Sequence, residues 1–430
     1  MAITRACLTR IVAAVGSAAA ILLAGLFGSA TSMAVAGTRL PGNQVPLSYL
    51  KTIHRVNVNP LPPPLRNGQA HARFGIFNID SVPNFNGHFM LSGFDPFSNP
   101  NKTWYTNTVG NPPQMGGTTT LGAPVFPVGV ELMNVDGKGT NVLCDAKTAA
   151  QQALNSPVFQ DFTYTSSSTP TQWADAISRA EFYPSAKADW HTLLAAEPQP
   201  ELVLQFPPGT YLYVANPDGS CAVAFVDFNT FANQVFSAGP SDTSTLLGAA
   251  EHSGAVTTSD ITNLIMGNVL PCFGGFNSCA LGFHTFDYEP GDASNGNRQR
   301  DYVLTVSSWL DESLYGPILA DASTLTHEIA EAYNDPFVAA DNVHDVTPWW
   351  TDPTGSICQD NLEVGDVIEF LPNQIFPITI NGMTYHNQTE ALIQWFKGTT
   401  PSDAIDGAFS YPDTTVLTKP LVSLNAGCAP

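Results

Sequence analysis

The hydrophobic positions of this chain fall mainly into short runs that are separated by clusters of Pro, Gly, Asn and Asp. Such runs, bounded by turn residues, are typical of β-strands. Gly and Pro, at 34 residues each, also indicate many turns. The runs that predict strands are 73–77, 128–132, 202–206, 211–214, 222–226, 281–286 and 301–306.

Apolar positions that recur every three or four residues predict a smaller number of helices. The predicted helices are 146–154, 172–182, 259–267 and 320–334. The last one places Leu325, Ile329 and Ala332 on one stripe, and the sequence Asn-Asp-Pro at 334–336 should end it, because proline breaks a helix. Strands and helices together predict an α+β fold with a β-rich body.

The first 36 residues have the pattern of a secretion signal. Arg5 and Arg10 precede an apolar run at 11–30, and Ala-Val-Ala at 34–36 matches a cleavage site. The run is long enough to span a bilayer, so a retained anchor is the alternative. We expect a secreted, extracellular protein with a β-rich N-terminal region at 37–240 and a second region at 241–430.

The charge of the chain excludes some partners. Asp and Glu number 37 against 16 Lys and Arg, for a net charge of −21; removal of Arg5 and Arg10 with the signal leaves −23. No basic stripe is available to neutralise phosphates. We therefore expect neither a nucleic acid partner nor, after signal cleavage, a membrane partner.

Six cysteines remain after cleavage of the signal, and an even number in an exported chain predicts disulfide bonds. Cys272 and Cys279 enclose a Gly-rich turn and are the expected local pair. A thiolate metal site would need Cys-x-x-Cys spacing, which this sequence lacks.

The predicted helix 320–334 carries the residues with chemical potential. His327 and Glu331 are four residues apart, so their side chains lie on one helix face and can reach one metal ion. Glu328 lies about 100° around the helix, where it could hold a water molecule beside that ion. The alternative is a solvated helix face with an ordinary i, i+4 pair.

The sequence around this helix resembles two groups of proteins. Thr-His-Glu-Ile-Ala-Glu at 326–331, Asn-Asp-Pro at 334–336 and Leu-Glu-Val-Gly-Asp at 362–366 look like a group of uncharacterised secreted bacterial proteins. They are more distantly similar to plant Exordium/phosphate-induced proteins. The resemblance covers about 320–370, with weaker similarity around 172–194 and 382–396. It implies a zincin-like site, in which a helix supplies two ligands and a later acidic residue supplies the third.

Glu363 and Asp366 are the candidates for the third ligand. The resemblance favours Asp366 slightly, because the matched motif ends on it, and Glu363 stays open. Zinc in a hydrolase takes three protein ligands and leaves one open position, and Glu328 would then be the general base. A shell with two carboxylates and one histidine also admits Ca²⁺ or Mn²⁺.

Other residues are weaker candidates. His344 misses the usual spacing of a third histidine ligand, and Asp341 and Asp345 could bind calcium or simply form a turn. His386, after Tyr385, could stabilise an oxyanion or could simply pack near a strand end. A further histidine, at 284, could line a cleft, although a structural role is the plainer interpretation.

Two hypotheses of function follow. The first is a secreted metal-dependent hydrolase, a zinc metallopeptidase-like protein acting on a protein or peptide substrate. The second is a non-catalytic protein in which the same cluster holds a structural ion and the body binds a cell-wall polymer, either polysaccharide or protein. In that case Trp349 and Trp350 would be the rings to stack on sugars.

Overall fold

The computed structural model describes residues 42–55, 79–90, 103–165, 168–291, 293, 296–338, 350–354, 358–359, 362–369, 371–398 and 400–421. The predicted secretion signal, the predicted strand 73–77, Asp341, His344, Asp345 and Trp349 lie outside these residues. Within the described ranges, no helix has the length and apolarity that a bilayer span requires.

The described residues form strands of very different length and seven α-helices, with a few short 3-10 turns between them. The strands are β1 (His54–Arg55), β2 (Ile79–Asp80), β3 (Asn84–Met90), β4 (Thr103–Val109), β5 (Thr118–Leu132), β6 (Val142–Cys144), β7 (His191–Pro198), β8 (Leu202–Phe206), β9 (Tyr211–Ala215), β10 (Cys221–Asp227), β11 (Ile261–Gly267), β12 (Val269–Cys272), β13 (Ser278–Cys279), β14 (Gly282–Glu289), β15 (Gln299–Trp309), β16 (Trp350–Thr351), β17 (Cys358–Gln359), β18 (Ile375–Ile380), β19 (Met383–Gln388), β20 (Glu390–Ala391) and β21 (Ser410–Tyr411). The helices are α1 (Lys147–Leu154), α2 (Trp173–Glu181), α3 (Phe228–Val235), α4 (Leu246–Ser253), α5 (Glu312–Tyr315), α6 (Ala322–Asn334) and α7 (Ile393–Lys397).

A mostly parallel sheet forms the centre of the fold. Its main path runs β14-β15-β11-β5-β6, with β2 paired to β15 and with β7 and β8 paired along the long β5. The pairs of β11 with β5 and β15 are parallel, whereas β14 is antiparallel to β15 and forms one end of that path. Helices and a mixed sheet in one chain agree with the predicted α+β class. Strands on both sides of residue 240 share this sheet, and the predicted division there stays a prediction.

A second sheet, in the order β1-β13-β12-β10-β9, is tied to the first by a disulfide bond. Cys144 at the end of β6 bonds to Cys221 at the start of β10. The predicted local pair, Cys272 with Cys279, is confirmed and joins β12 to β13. Disulfide bonds are therefore part of this fold, as the cysteine count predicted.

Most of the predicted elements that lie in the described ranges are found, and one is wrong. The segment 259–267 was predicted as a helix but forms the strand β11. Its residues are buried on both faces, and Ile261, Thr262 and Ile265 are β-branched. A short apolar run that is buried on both faces has no alternation, so its periodicity does not separate a strand from a buried helix.

The helix α6 packs against the central sheet. It contacts β14, β15 and the hairpin strand β19. The predicted apolar stripe of Leu325, Ile329 and Ala332 is fully buried in the main core. This packing fixes which polar side chains of α6 face the sheet and which face the later loops.

Candidate metal centre

The sequence around α6 fixes both ends of the helix. Asp321 is the N-cap, and its side chain accepts a hydrogen bond from the backbone N–H of Ala322. The same carboxylate holds His386 of β19, whose Nδ1 lies 2.7 Å from Asp321 Oδ2. At the other end, the N–H of Asp335 donates to the carbonyl of Glu331, and Pro336 prevents a further turn.

Two side chains of α6, His327 and Glu331, meet Asp366 of the 362–369 loop. We call these three residues the outer group. His327 Nε2 lies 3.2 Å from Glu331 Oε1 and 3.4 Å from Asp366 Oδ1. The side chain of His327 is 12% exposed, so this group is buried but has an edge that solvent reaches.

A second cluster, the inner group, lies deeper and consists of His284, Glu328 and Glu331. His284 is on β14, and its Nδ1 is 3.3 Å from Glu331 Oε2 and 3.8 Å from Glu328 Oε2. Glu363 Oε2 approaches the same nitrogen at 3.7 Å. His284 is only 1% exposed, so this cluster is part of the interior.

The loop 362–369 holds the shared carboxylate in place. The backbone N–H groups of Gly365 and Asp366 both donate to Glu331 Oε1, at 3.0 and 3.2 Å. Backbone donors fix the direction of a carboxylate more firmly than flexible side chains do. Glu331 therefore presents Oε1 to the outer group and Oε2 to the inner group.

Gln388 of β19 sets the proton position on His327. Its Nε2 donates to the carbonyl of Gly365 at 2.8 Å, and the same nitrogen lies 3.0 Å from His327 Nδ1. Because an amide N–H₂ only donates, His327 Nδ1 is the acceptor in this arrangement, and Nε2 carries the proton when the ring is neutral. Use of Nε2 as a metal ligand would therefore require the Gln388 amide to turn over.

His284 has the opposite arrangement. Its Nε2 lies 2.9 Å from the backbone carbonyl of Asp335, which can only accept, so Nε2 carries a proton. The other nitrogen, Nδ1, is buried and has no hydrogen-bond partner. In the neutral ring, the Nδ1 lone pair therefore faces carboxylate oxygens.

The two histidines are strongly affected by the surrounding carboxylates. Burial alone would lower the pKa of His284, but Glu363, Glu328 and Glu331 outweigh it and raise the pKa well above its usual value. For His327, burial also acts to lower the pKa, and Glu331, Glu328 and Asp366 raise it well above the usual value. Without another cation, both rings are therefore driven towards the charged form, and a charged His327 requires the Gln388 amide to present Oε1 rather than Nε2 to Nδ1.

The carboxylates respond in different directions. Burial would raise the pKa of Glu331, but its contacts with His327 and His284 lower it below the usual value. Burial raises the pKa of Glu363 well above its usual range and that of Asp366 to about 8, and Glu331 adds to both shifts. The pKa of Glu328 is also raised, chiefly by burial. These four acidic groups, together with the fully buried Glu390, thus share this space without enough positive charge to ionise them all.

Both groups have donor atoms suited to a divalent cation. Within each, the donor atoms lie within 4.8 Å of one another. Glu328 Oε2, Glu363 Oε1 and His284 Nδ1 are buried without a hydrogen-bond partner. Buried polar atoms of native proteins normally have a partner, and a cation that lies between such atoms provides one. Carboxylates with imidazole admit zinc or manganese and, with more oxygen ligands, calcium.

The predicted site residues are thus divided between two positions. His327, Glu331 and Asp366 meet in the outer group, whereas Glu363 and Glu328 lie beside His284. The sequence suggested for His284 either a cleft-lining or a structural role, and it did not single out Gln388. The available signal for His284 was its position in β14, a buried strand in which four of eight residues, His284, Thr285, Asp287 and Glu289, are polar.

Two other candidates have clear surroundings. His386 is held by Asp321 and lies beside Tyr385, whose side chain is buried. Trp350 is 0% exposed and packs edge-on against Trp395 and Phe396, so its ring is not available for stacking on a sugar.

In comparisons with known proteins, no protein family, no curated protein and no solved structure matches this chain.

Proposed function

We propose that this chain is a secreted, metal-dependent hydrolase with a zincin-like site, in which His327, Glu331 and Asp366 hold the ion. The observation that carries the proposal is the convergence of these three side chains at the solvent-reaching edge of the cluster. The spacing of His327 from its two partners, 3.2 and 3.4 Å, suits ligands of one ion. Ligand atoms about 2.1 Å from a tetrahedral ion lie about 3.4 Å apart.

The roles of the residues follow from their positions. Glu331 is oriented by two backbone N–H groups. Gln388 would orient the His327 ring for metal binding once its amide is turned so that Oε1 accepts from Nδ1–H and leaves Nε2 free for the ion. Glu328, on the adjacent helix position, accepts a proton from water as the general base. A bound divalent ion would supply Lewis acidity to the scissile carbonyl and to water. Zinc is the proposed ion, with manganese or calcium as alternatives, and a peptide is the proposed substrate.

The test compares metal content and peptide cleavage in the purified protein. We expect Glu328→Gln to keep the ion that depends on His327 and to lose cleavage by at least about 100-fold, because a general base contributes that much. Glu312→Gln, at an exposed position in α5, is the matched control. Equal cleavage by wild type and Glu328→Gln, or no cleavage of any peptide by the zinc-loaded wild type, would reject the proposal.

A second candidate function is favoured by the burial of Glu328. This residue is 4% exposed, and its Oε2 has neither solvent contact nor a hydrogen-bond partner. A base that is sealed from water would suit a non-catalytic secreted protein whose ion is structural and whose body binds a cell-wall polymer. In that case His327→Ala should lower the melting temperature sharply, and no substrate should be cleaved at any metal loading.

A further inference from the structure

The buried histidine of β14 has a chemical environment that its protein neighbours do not satisfy. His284 Nε2 is committed to the carbonyl of Asp335, and Nδ1 faces Glu331 Oε2 at 3.3 Å and Glu328 Oε2 at 3.8 Å. A neutral imidazole would point a lone pair at negative oxygens. An imidazolium would form ion pairs with these oxygens, yet none of them is aligned to accept a hydrogen bond from Nδ1. A cation between these atoms removes both difficulties.

We propose that His284, Glu328 and Glu331 form an inner divalent-cation site, separate from the position at His327. The ligand atoms are His284 Nδ1, Glu328 Oε2 and Glu331 Oε2. The class of ligand is a first-row divalent ion, zinc or manganese, because one imidazole and two carboxylates suit both.

The distances fit such an ion. Atoms about 2.1 Å from a tetrahedral ion are separated by about 3.4 Å, and the two measured spacings from Nδ1 lie on either side of that value. Glu363 Oε2, 3.7 Å from the same nitrogen, borders the site from the later loop. The carbonyl of Asp335 on Nε2 supplies the second hydrogen bond that orients most metal-binding histidines.

The charge of the interior supports the same conclusion. Glu328, Glu331 and Glu363 are buried, and the described residues supply no lysine or arginine partner to any of them. A buried carboxylate without a cation is costly. A divalent ion in the inner site places two positive charges among these groups.

Glu331 connects the inner site to the outer group. Its Oε1 is 3.2 Å from His327 Nε2, and its Oε2 is 3.3 Å from His284 Nδ1. When both positions are filled, this carboxylate bridges two ions. The argument for the inner site uses no substrate or cleavage step, but the site shares Glu328 and Glu331 with the proposed hydrolase. An inner ion held by Glu328 Oε2 would leave only Oε1 of that residue to act as the general base.

Native mass spectrometry of the purified full chain at saturating zinc tests the proposal. We expect two ions in the wild type, one in His284→Ala, one in His327→Ala and two in His252→Ala, an exposed control in α4. A single ion in the wild type, or unchanged binding in His284→Ala, would overturn the inner site.

Because His284 is a core residue, a second measurement uses only the wild type. Two manganese ions that share the Glu331 carboxylate should give an exchange-coupled electron paramagnetic resonance spectrum at two equivalents. An uncoupled six-line spectrum at every loading would overturn the proposal. Two bound ions without peptide cleavage would reject the hydrolase and keep the inner site. Peptide cleavage that depends on His327 in a protein that binds a single ion would keep the hydrolase and reject the inner site.

Discussion

Gly365 lies directly against the imidazole ring of His327. A β-carbon at position 365 would be 2.6 Å from both Cγ and Nδ1 of that ring, which is far inside van der Waals contact. The same loop residue accepts a hydrogen bond from Gln388 and donates one to Glu331. The absence of a side chain at this one position thus lets the loop pack directly against α6.

Gly365→Ala should therefore displace either the ring or the loop. We expect a loss of about 1–3 kcal/mol in the free energy of unfolding, as for other overpacked cores, and weaker zinc binding. Urea unfolding and zinc titration measure the two effects. Gly42→Ala is the control, because the nearest atom to a β-carbon at that position, the carbonyl oxygen of Val135, would be 3.7 Å away. If both variants behave alike, the close approach of Gly365 has no consequence for the site.

Gln388→Met should loosen the orientation of His327. The substitution keeps the approximate size of the side chain but removes the donor that holds both the Gly365 carbonyl and His327 Nδ1. Leaving a buried carbonyl unpaired costs about 1–3 kcal/mol, so the melting temperature should fall. Gln151→Met, at an exposed position in α1, is the control. An unchanged melting temperature for Gln388→Met would contradict this role.

Glu181 at the end of α2 should make stability depend on pH. Burial raises its pKa from 4.5 to about 8, although the N–H of Ile393 donates to it. Between these values the folded protein keeps a proton that the unfolded chain releases, so the free energy of unfolding falls as the pH rises through this window.

Glu181→Gln removes that titration. Relative to wild type, the variant should gain stability steadily from pH 5 to pH 8, by at most about 5 kcal/mol, which is the limit that the shift allows. Urea unfolding at a series of pH values measures the difference. Glu197→Gln, at an exposed position in β7, should give the wild-type slope. If the free energy of unfolding of Glu181→Gln changes with pH as steeply as that of the wild type, the Glu181 carboxylate is already ionised in the folded protein.

The two disulfide bonds should differ in their contribution to stability. Cys144–Cys221 closes a loop with a sequence separation of 77, and Cys272–Cys279 closes one of 7. On loop-closure entropy alone, their removal should cost about 4.5 and about 2.4 kcal/mol. Paired Cys→Ala variants in urea unfolding measure both. The reverse order would mean that chain entropy does not govern these crosslinks.

The sequence by itself determined the local features of this protein. Because side chains four residues apart share a helix face, the spacing of His327 and Glu331 was sufficient to predict that they meet. The boundaries of α6, most strands that lie in the described ranges and the Cys272–Cys279 pair also depend on neighbours along the chain. The segment 259–267, which contains β11, was mispredicted because burial on both faces, a tertiary property, hides the period of a strand.

Only the tertiary structure decided which distant groups join the site. The packing of α6 across β14 brings His284 within 3.3 Å of Glu331, although 47 positions separate them in the sequence. Likewise, Gln388 reaches His327 only because the hairpin of β18 and β19 folds against α6. Spacing along a chain fixes directions within one element, whereas the distance between elements depends on how the whole core packs.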